Sequence, residues 1–411
     1  MRILFIHQNY PGQFVHLAPA LAKRGHEVLA LTDDVNKRTT ASRTVRYTFK
    51  KPTIDAATMP RLATTFAENA ARAEVVARAC AGLREKHKYM PDIVFGHIGW
   101  GETLFVKEVW PEARHLLYAE LFYKTHGLDT GFDPEIQRDD MWQRIWIRSR
   151  QAHLLLAMAS ADQALAPTEW QARSFPEGMR GRISVIHDGI DTQRLKPDAT
   201  IAVELPGTAL RLKAGDEVLT FVNRNLEPYR GYHIFMRALP AIMAARPAAR
   251  VVIVGGDGVS YGSKPPSGTW KEKFLDEVKD RIDFSRVHFV GNLPYPTFID
   301  LMRVTRVHAY LTYPFVLSWS MLEAMSAGAL IVASRTPPVE ELIEDGVNGR
   351  LVDFFDVEGL SRALIEGLAD PKRFMPLRAA ARQTIVDRYD LETRCLPRLI
   401  EFVEGSKGAA A

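Results

Sequence analysis

The chain has 411 residues, more than one ordinary core holds, so two domains are expected. Hydrophobic residues make up 46% and charged residues 25%, as in globular proteins, and the net charge of +4 is too small for general nucleic-acid binding, though it allows an anion in a local basic site. The two cysteines, Cys80 and Cys395, lie far apart without metal-type spacing and fit a reducing cytoplasm better than a disulfide framework.

The first apolar run breaks at His7, too early for a signal peptide, and no run approaches the ~20 residues that span a bilayer. In chain order, strands are predicted over 2–7, 27–32, 93–96, 116–120, 163–166 and 183–186. A helix over 14–24 ends at Gly25, a longer one runs over 60–85, and another over 141–159. The turn-rich stretch 196–216 reads as a boundary. Beyond it, strands are predicted over 217–222, 249–254, 287–291, 307–312 and 330–334. Helices alternate with them over 232–245, 270–280, 296–304, from Ser320 to Gly328, 340–344 and 357–368. A final helical region, 376–404, could pack back on the first domain, and the tail 405–411 is expected to be disordered. Alternating strands and helices imply parallel βαβ units, and no repeat of solenoid length is present. The predicted architecture is α/β, with two doubly wound domains facing across a cleft. They cover 1–200 and 215–380, and the helix 381–404 returns toward the first.

Several loops could carry chemistry. The strand 217–222 runs into Asn223-Arg224-Asn225-Leu226-Glu227-Pro228-Tyr229-Arg230-Gly231 and then a helix. Guanidinium groups of Arg224 and Arg230 flanking a strand-to-helix loop could grip a diphosphate; the bland alternative is that they are solvated or pair with Glu227. The segment Tyr313-Pro314-Phe315-Val316-Leu317-Ser318-Trp319-Ser320 precedes another helix, whose start offers N–H groups and a dipole to an anion. Glu323 suits ribose hydroxyls, but Ser320-Met-Leu-Glu323 also matches a capping box. Gly12 and Gly256 sit in loops after strands, where a backbone could approach a phosphate or simply turn. His97, at a strand's carboxyl end, could bind a substrate hydroxyl or be structural. Trp100 and Glu120 lie close to it in this reading. Trp142, Trp146, Arg144 and Arg148 share a helix face that could rest on anionic lipid, though domain packing is commoner.

The chain lacks G-x-G-x-x-G after any predicted strand, and also Walker A, G-x-S-x-G, H-E-x-x-H and Asp-x-Asp sequences.

In order and spacing these segments resemble the GT-B retaining glycosyltransferases of family 4. The resemblance rests on the Gly12 loop, Arg24-Gly25-His26-Glu27-Val28, and Val185-Ile186-His187-Asp188-Gly189-Ile190-Asp191. It continues through Arg224…Arg230-Gly231, Val252 to Gly258, Val290-Gly291, Leu322 to Gly328 and Glu341 to Gly349. It implies that Arg224 and Arg230 hold a donor diphosphate, with Glu323 on the ribose as the second glutamate of an E-x7-E motif. The Val316–Leu317–Ser318 backbone and Ser320 would line the donor, Gly12 and Gly256 would border it, and His97 would lie near the reacting sugar. Glu120 and Trp100 would fall on the acceptor side.

Three departures stand out, the last being the length of 258–270. Phe315 replaces the first glutamate and Val316-Leu317-Ser318-Trp319 the usual Gly-Phe-Gly-Leu, and Arg230 replaces the usual lysine one residue later than the common spacing. The long stretch 258–270 is expected to cover the nucleotide. The implied activity is a metal-independent hexosyl transfer without a cofactor, from a nucleotide sugar to a glycan or lipid-linked hydroxyl in cell-surface polysaccharide synthesis. The implied location is cytoplasmic, with at most peripheral membrane contact at the inner face. Two rivals are a GT-B-like epimerase or phosphorylase and a non-catalytic sugar-nucleotide-binding subunit.

Overall fold

The computed structural model describes residues 1–405 apart from Ile54, Ala56 and Ala209, so the tail 406–411 lies outside the described residues. The chain forms two compact units. The first comprises 1–131, 138–189 and 392 onward; the second comprises 132–137 and 190–391. The division thus falls at Gly189/Ile190, and six residues from the middle of the first stretch belong with the second unit.

The first unit is built on a seven-stranded sheet of order β3-β2-β1-β4-β5-β6-β7. Its strands are β1 Arg2–Ile6, β2 Glu27–Asp33, β3 Arg43–Tyr47, β4 Ile93–His97, β5 Arg114–Tyr118, β6 Gln163–Ala166 and β7 Ile183–Val185. All pairings are parallel. Ile3 to Ile6 are fully buried, as an apolar run covered on both faces of a parallel sheet requires. Helices α1 Leu17–Lys23, α2 Thr64–His87, α3 Met141–Arg150 and α4 Ala152–Ser160 supply crossovers.

The second unit opens with the hairpin β8 Ala202–Glu204 and β9 Arg211–Lys213, inside the stretch read as a boundary. Its six-stranded parallel sheet has the order β12-β11-β10-β13-β14-β15. The strands are β10 Val218–Asn225, β11 Arg250–Gly256, β12 Val287–Phe289, β13 Val307–Tyr310, β14 Leu330–Ser334 and β15 Arg350–Val352. Helices α5 Tyr232–Ala245, α6 Tyr295–Val304, α7 Trp319–Ala327, α8 Val357–Ala369 and α9 Met375–Tyr389 complete it.

The region 376–404 is not continuous. It breaks after α9 at a π-turn, Leu391–Cys395, before α10 Leu396–Glu404, whose Leu399, Phe402 and Val403 fill the first unit's core. No helix of the described residues is long and apolar enough to cross a membrane.

In each sheet the connection reverses direction once, between β1 and β4 and between β10 and β13. Ligands of open α/β sheets bind beyond the strand ends at such a reversal.

Candidate functional site

In the second unit the reversal lies between the end of β10 and the end of β13. Arg224, near the end of β10, is exposed. Arg230 is buried and committed to protein acceptors. Its Nη1 donates to Thr312 Oγ1 at 2.8 Å, to the Val316 carbonyl at 2.8 Å and to Tyr310 Oη at 3.3 Å. The same guanidinium lies 5.3 Å from the Tyr261 ring centre and 5.6 Å from that of Phe315. Arg230 therefore shapes the 313–318 loop besides offering charge. Gly231 follows in the left-handed region at φ 67°, and a Cβ there would collide with the Leu311 side chain, so glycine lets α5 start against β13.

The 313–318 loop is fixed at its far end too. Tyr310 Oη accepts from the Ser318 N–H at 2.8 Å, and the Ser318 and Ser320 hydroxyls pair at 2.9 Å. Ser318, not Ser320, caps α7, so a capping box would need its acid at Met321. Glu323 instead accepts a hydrogen bond from Tyr295 Oη at 2.7 Å, which overturns the capping-box alternative. Burial pushes the Glu323 carboxyl up to about 7, against the lowering effect of that hydrogen bond.

The bland pairing of the arginines with Glu227 is absent too. Glu227 turns to the long loop, accepting from the N–H groups of Ser260 (2.9 Å) and Tyr261 (3.1 Å), while its other carboxylate oxygen is buried without a hydrogen bond. Burial raises it to about 7, despite those hydrogen bonds and the nearby Arg230 and Arg224. Asn225 adds a second tie, donating to Ser260 Oγ at 2.7 Å and accepting from Gly258 N–H at 3.2 Å. Gly256 sits against Asn225 Oδ1, where a Cβ would come to 2.8 Å.

Phe315 is buried in an aromatic wall, 4.7 Å from Tyr261 and 5.6 Å from Tyr229 between ring centres. Arg224, Arg230, Glu323, Gly256, Val316, Leu317, Ser318 and Ser320 thus all belong to the second unit.

The other predicted residues form a separate cluster in the first unit, also at its reversal. His7 follows β1, His97 ends β4 and Glu120 lies just beyond β5. The Gly99 N–H donates to His97 Nδ1 (3.0 Å) and the Asn9 N–H to His7 Nδ1 (2.9 Å), so in each neutral ring the proton sits on Nε2. His7 Nε2 donates to Gln13 Oε1 at 2.9 Å, and Gln13 Nε2 donates to Glu120 Oε1 at 3.1 Å. His97 Nε2 faces the other Glu120 oxygen at 3.6 Å, too long for a hydrogen bond.

Burial alone would raise the Glu120 carboxyl, but His97 and Gln13 outweigh it and hold the group below its ordinary value. Burial and the neighbouring His97 lower His7 to about 3. Trp100 stacks on His97 with ring centres 4.2 Å apart. Gly12, at φ 50°, lies under the His7 ring, where a Cβ would meet Nε2 at 2.6 Å. Its glycine is explained by this packing, with no phosphate required. Sequence reasoning missed His7 and Gln13, whose place in the relay shows only in the fold.

Two family profiles match the chain: one described as "Glycosyl transferase family 4 group" over residues 24–195, and one described as "Glycosyl transferases group 1" over 208–384. The chain belongs to the family 4 glycosyltransferases.

Among curated relatives, this glycosyltransferase is 26% identical over 420 residues to a glycogen synthase of Mycobacterium tuberculosis, covering 96% of this chain and 92% of that protein. It is 27% identical to a D-inositol 3-phosphate glycosyltransferase of Corynebacterium urealyticum, over 57% of this chain and 54% of the relative. Sucrose-phosphate synthase from Thermosynechococcus elongatus has the same fold, with TM-score 0.70, 17% identity and 97% of each chain covered. Anabaena Alr3699/HepE, solved in complex with UDP-glucose, gives TM-score 0.67 at 17% identity, covering 98% of this chain and 99% of its own. The glycosyltransferase accordingly has the GT-B fold of two parallel-sheet α/β domains.

Proposed function

We propose that the enzyme transfers a hexose, with retention of anomeric configuration and without a metal, from a nucleoside-diphosphate sugar to a hydroxyl acceptor. The acceptor is a glycan or lipid-linked glycan of cell-surface polysaccharide synthesis. The enzyme works in the cytoplasm, with at most peripheral contact at the inner membrane face. The observation that supports this reading is the second unit's strand reversal, beside which Arg224 nears the end of β10, Arg230 holds the loop leading into α7, and α7 carries the buried Glu323. The curated relatives include a "GDP-mannose-dependent" mannosyltransferase of Mycolicibacterium smegmatis, which supports a nucleotide-sugar donor.

As the bond to the leaving diphosphate breaks, negative charge grows on it while the sugar becomes oxocarbenium-like. Arg224, Arg230 and the start of α7 meet that charge, and one such preorganised donor is worth roughly 3–4 kcal/mol of barrier. The leaving phosphate oxygen takes the proton of the acceptor hydroxyl, which attacks from the same face. Glu323 accepts ribose hydroxyls. In the first unit, Glu120 and Trp100 serve the acceptor and His97 the reacting sugar.

A thermal-shift panel of UDP- and GDP-sugars tests the donor, and NMR of the product anomer tests retention. Arg224→Ala and Glu323→Ala should both abolish the donor-induced shift. If both variants still bind donor like wild type, the assignment is wrong. Phe315 favours one other reading, a non-catalytic subunit; a donor shift without any turnover on a broad acceptor panel would support it.

A further inference from the structure

Residues 132–137 are bounded on both sides by first-unit sequence yet are built into the second unit. Phe132 packs between Tyr313, Phe354 and Phe355, with ring centres 5.1–5.3 Å away. Asp133 is 1% exposed, accepts from Tyr313 Oη at 2.6 Å and lies 3.0 Å from His233 Nε2. Gln137 Nε2 donates to Tyr229 Oη at 3.2 Å. At the outer edge, Glu135 pairs with Arg237, which also pairs with Glu277.

The two tyrosines are not incidental. Tyr313 begins the loop whose Val316 carbonyl is held by Arg230, and Tyr229 directly precedes Arg230. They are joined to each other by Tyr313 N–H donating to the Tyr229 carbonyl at 2.9 Å, with ring centres 4.7 Å apart. The segment therefore ties both walls around Arg230 through their phenol groups. A buried carboxylate costs free energy unless hydrogen-bonded. Tyr313 and the residues around it meet that need, and in return the position of Tyr313 is fixed.

We propose that Asp133 and Gln137 are positioning residues for the diphosphate pocket. Without touching the donor, they hold Tyr313 and Tyr229, and through them Arg230 and the 314–318 loop, in the receptive shape. This rests on the reading of that pocket as a nucleoside-diphosphate site.

The test uses the full chain and two probes, UDP and GDP, by calorimetry, with turnover measured on whichever nucleotide sugar the thermal-shift panel selects. A misplacement of about 1 Å can cost on the order of 100-fold in rate. Asp133→Asn is thus expected to weaken nucleotide affinity and lower kcat by ~10-fold or more at a temperature where the variant is fully folded by circular dichroism. Tyr313→Phe should do the same, and the double variant should be no worse than either single one. Arg237→Ala is the control: it cuts the outer ion pairs of the same segment and should lower Tm while leaving affinity unchanged.

If affinity follows Tm across all three substitutions, or Asp133→Asn binds nucleotide like wild type, the positioning role is refuted. If wild type takes up neither UDP nor GDP, the donor reading itself falls, and this role with it.

Discussion

Arg224 and Arg230 look alike in sequence but differ in what they hold. Arg224 is exposed, so Arg224→Ala should leave Tm nearly unchanged while lowering kcat on the order of 100-fold. Arg230→Ala should lower both, because its Nη1 supports three protein acceptors. A Tm scan beside steady-state kinetics separates the two.

Glu323 gives a pH prediction. Its folded value is raised to about 7 by burial, so from the ordinary carboxylate range up to about 7 the unfolded chain ionises it while the folded chain keeps it protonated, and stability falls as pH rises across that window. Glu323→Gln removes that cost. The variant should melt at nearly the wild-type temperature at pH 4 and above it at pH 8, by a stability gain of up to about 3 kcal/mol, while losing donor affinity. An equal Tm difference at both pH values would count against the buried-carboxyl account.

At this scale the places of Arg224, Arg230 and Glu323 beside the second sheet's reversal were legible, because charge next to a strand end stands out in sequence. Their partners were not: Tyr295, which holds Glu323, is 28 positions away in sequence. The His7–Gln13–Glu120 relay depends on the ends of β1 and β5 meeting through the turn that carries Gln13, and Asp133 shows no local signal at all.

At the level of elements, the loop 258–270 is expected to owe its order to two side chains of the β10 exit. Glu227→Ala removes the acceptor for two of its N–H groups and should open the loop to limited proteolysis between Gly258 and Trp270, with a rise in donor KM. Cleavage at the wild-type rate would show that Asn225 and the hydrogen bond from Trp270 Nε1 to the Ser263 carbonyl (2.9 Å) suffice. The buried apolar strands were readable from their runs of branched residues. The strands that escaped, β3, β8, β9 and β15, are short, and each carries a charged residue at an exposed or partly exposed position, so their pattern resembles loop. The break between α9 and α10 was missed because no glycine marks the π-turn, and Pro397 in the first turn of α10 is the one breaker inside the region. Phe315 shows the opposite case: it departs from the resembling motif but fits its surroundings. Phe315→Glu would place a carboxylate in an aromatic wall and should destabilise the fold rather than raise activity.

The first unit is closed by the C-terminal segment from 392 onward, which packs back on its N-terminal strands and helix. Removing residues from 392 onward takes Leu399, Phe402 and Val403 out of the first unit's core, together with the pairing of Arg24 and His26 with Glu404. Burial of three such side chains is worth on the order of 5 kcal/mol, much of a typical margin. The truncated protein should be largely insoluble, or melt far below the full chain in calorimetry. The two-domain α/β plan was legible from the alternation of strands and helices. The discontinuity of the units was not, since nothing in Phe132 to Gln137 marks it locally.

That discontinuity bears on how such enzymes can diversify. A genetic crossover that exchanges the contiguous block 190–391 between two homologues would pack a foreign second unit against a host-encoded Phe132–Gln137. The new tyrosines would then meet a carboxylate and an amide shaped for other neighbours. The second unit is drawn from two separate stretches of chain rather than one block, so an exchanged unit should keep its native packing only when the hexapeptide travels with it.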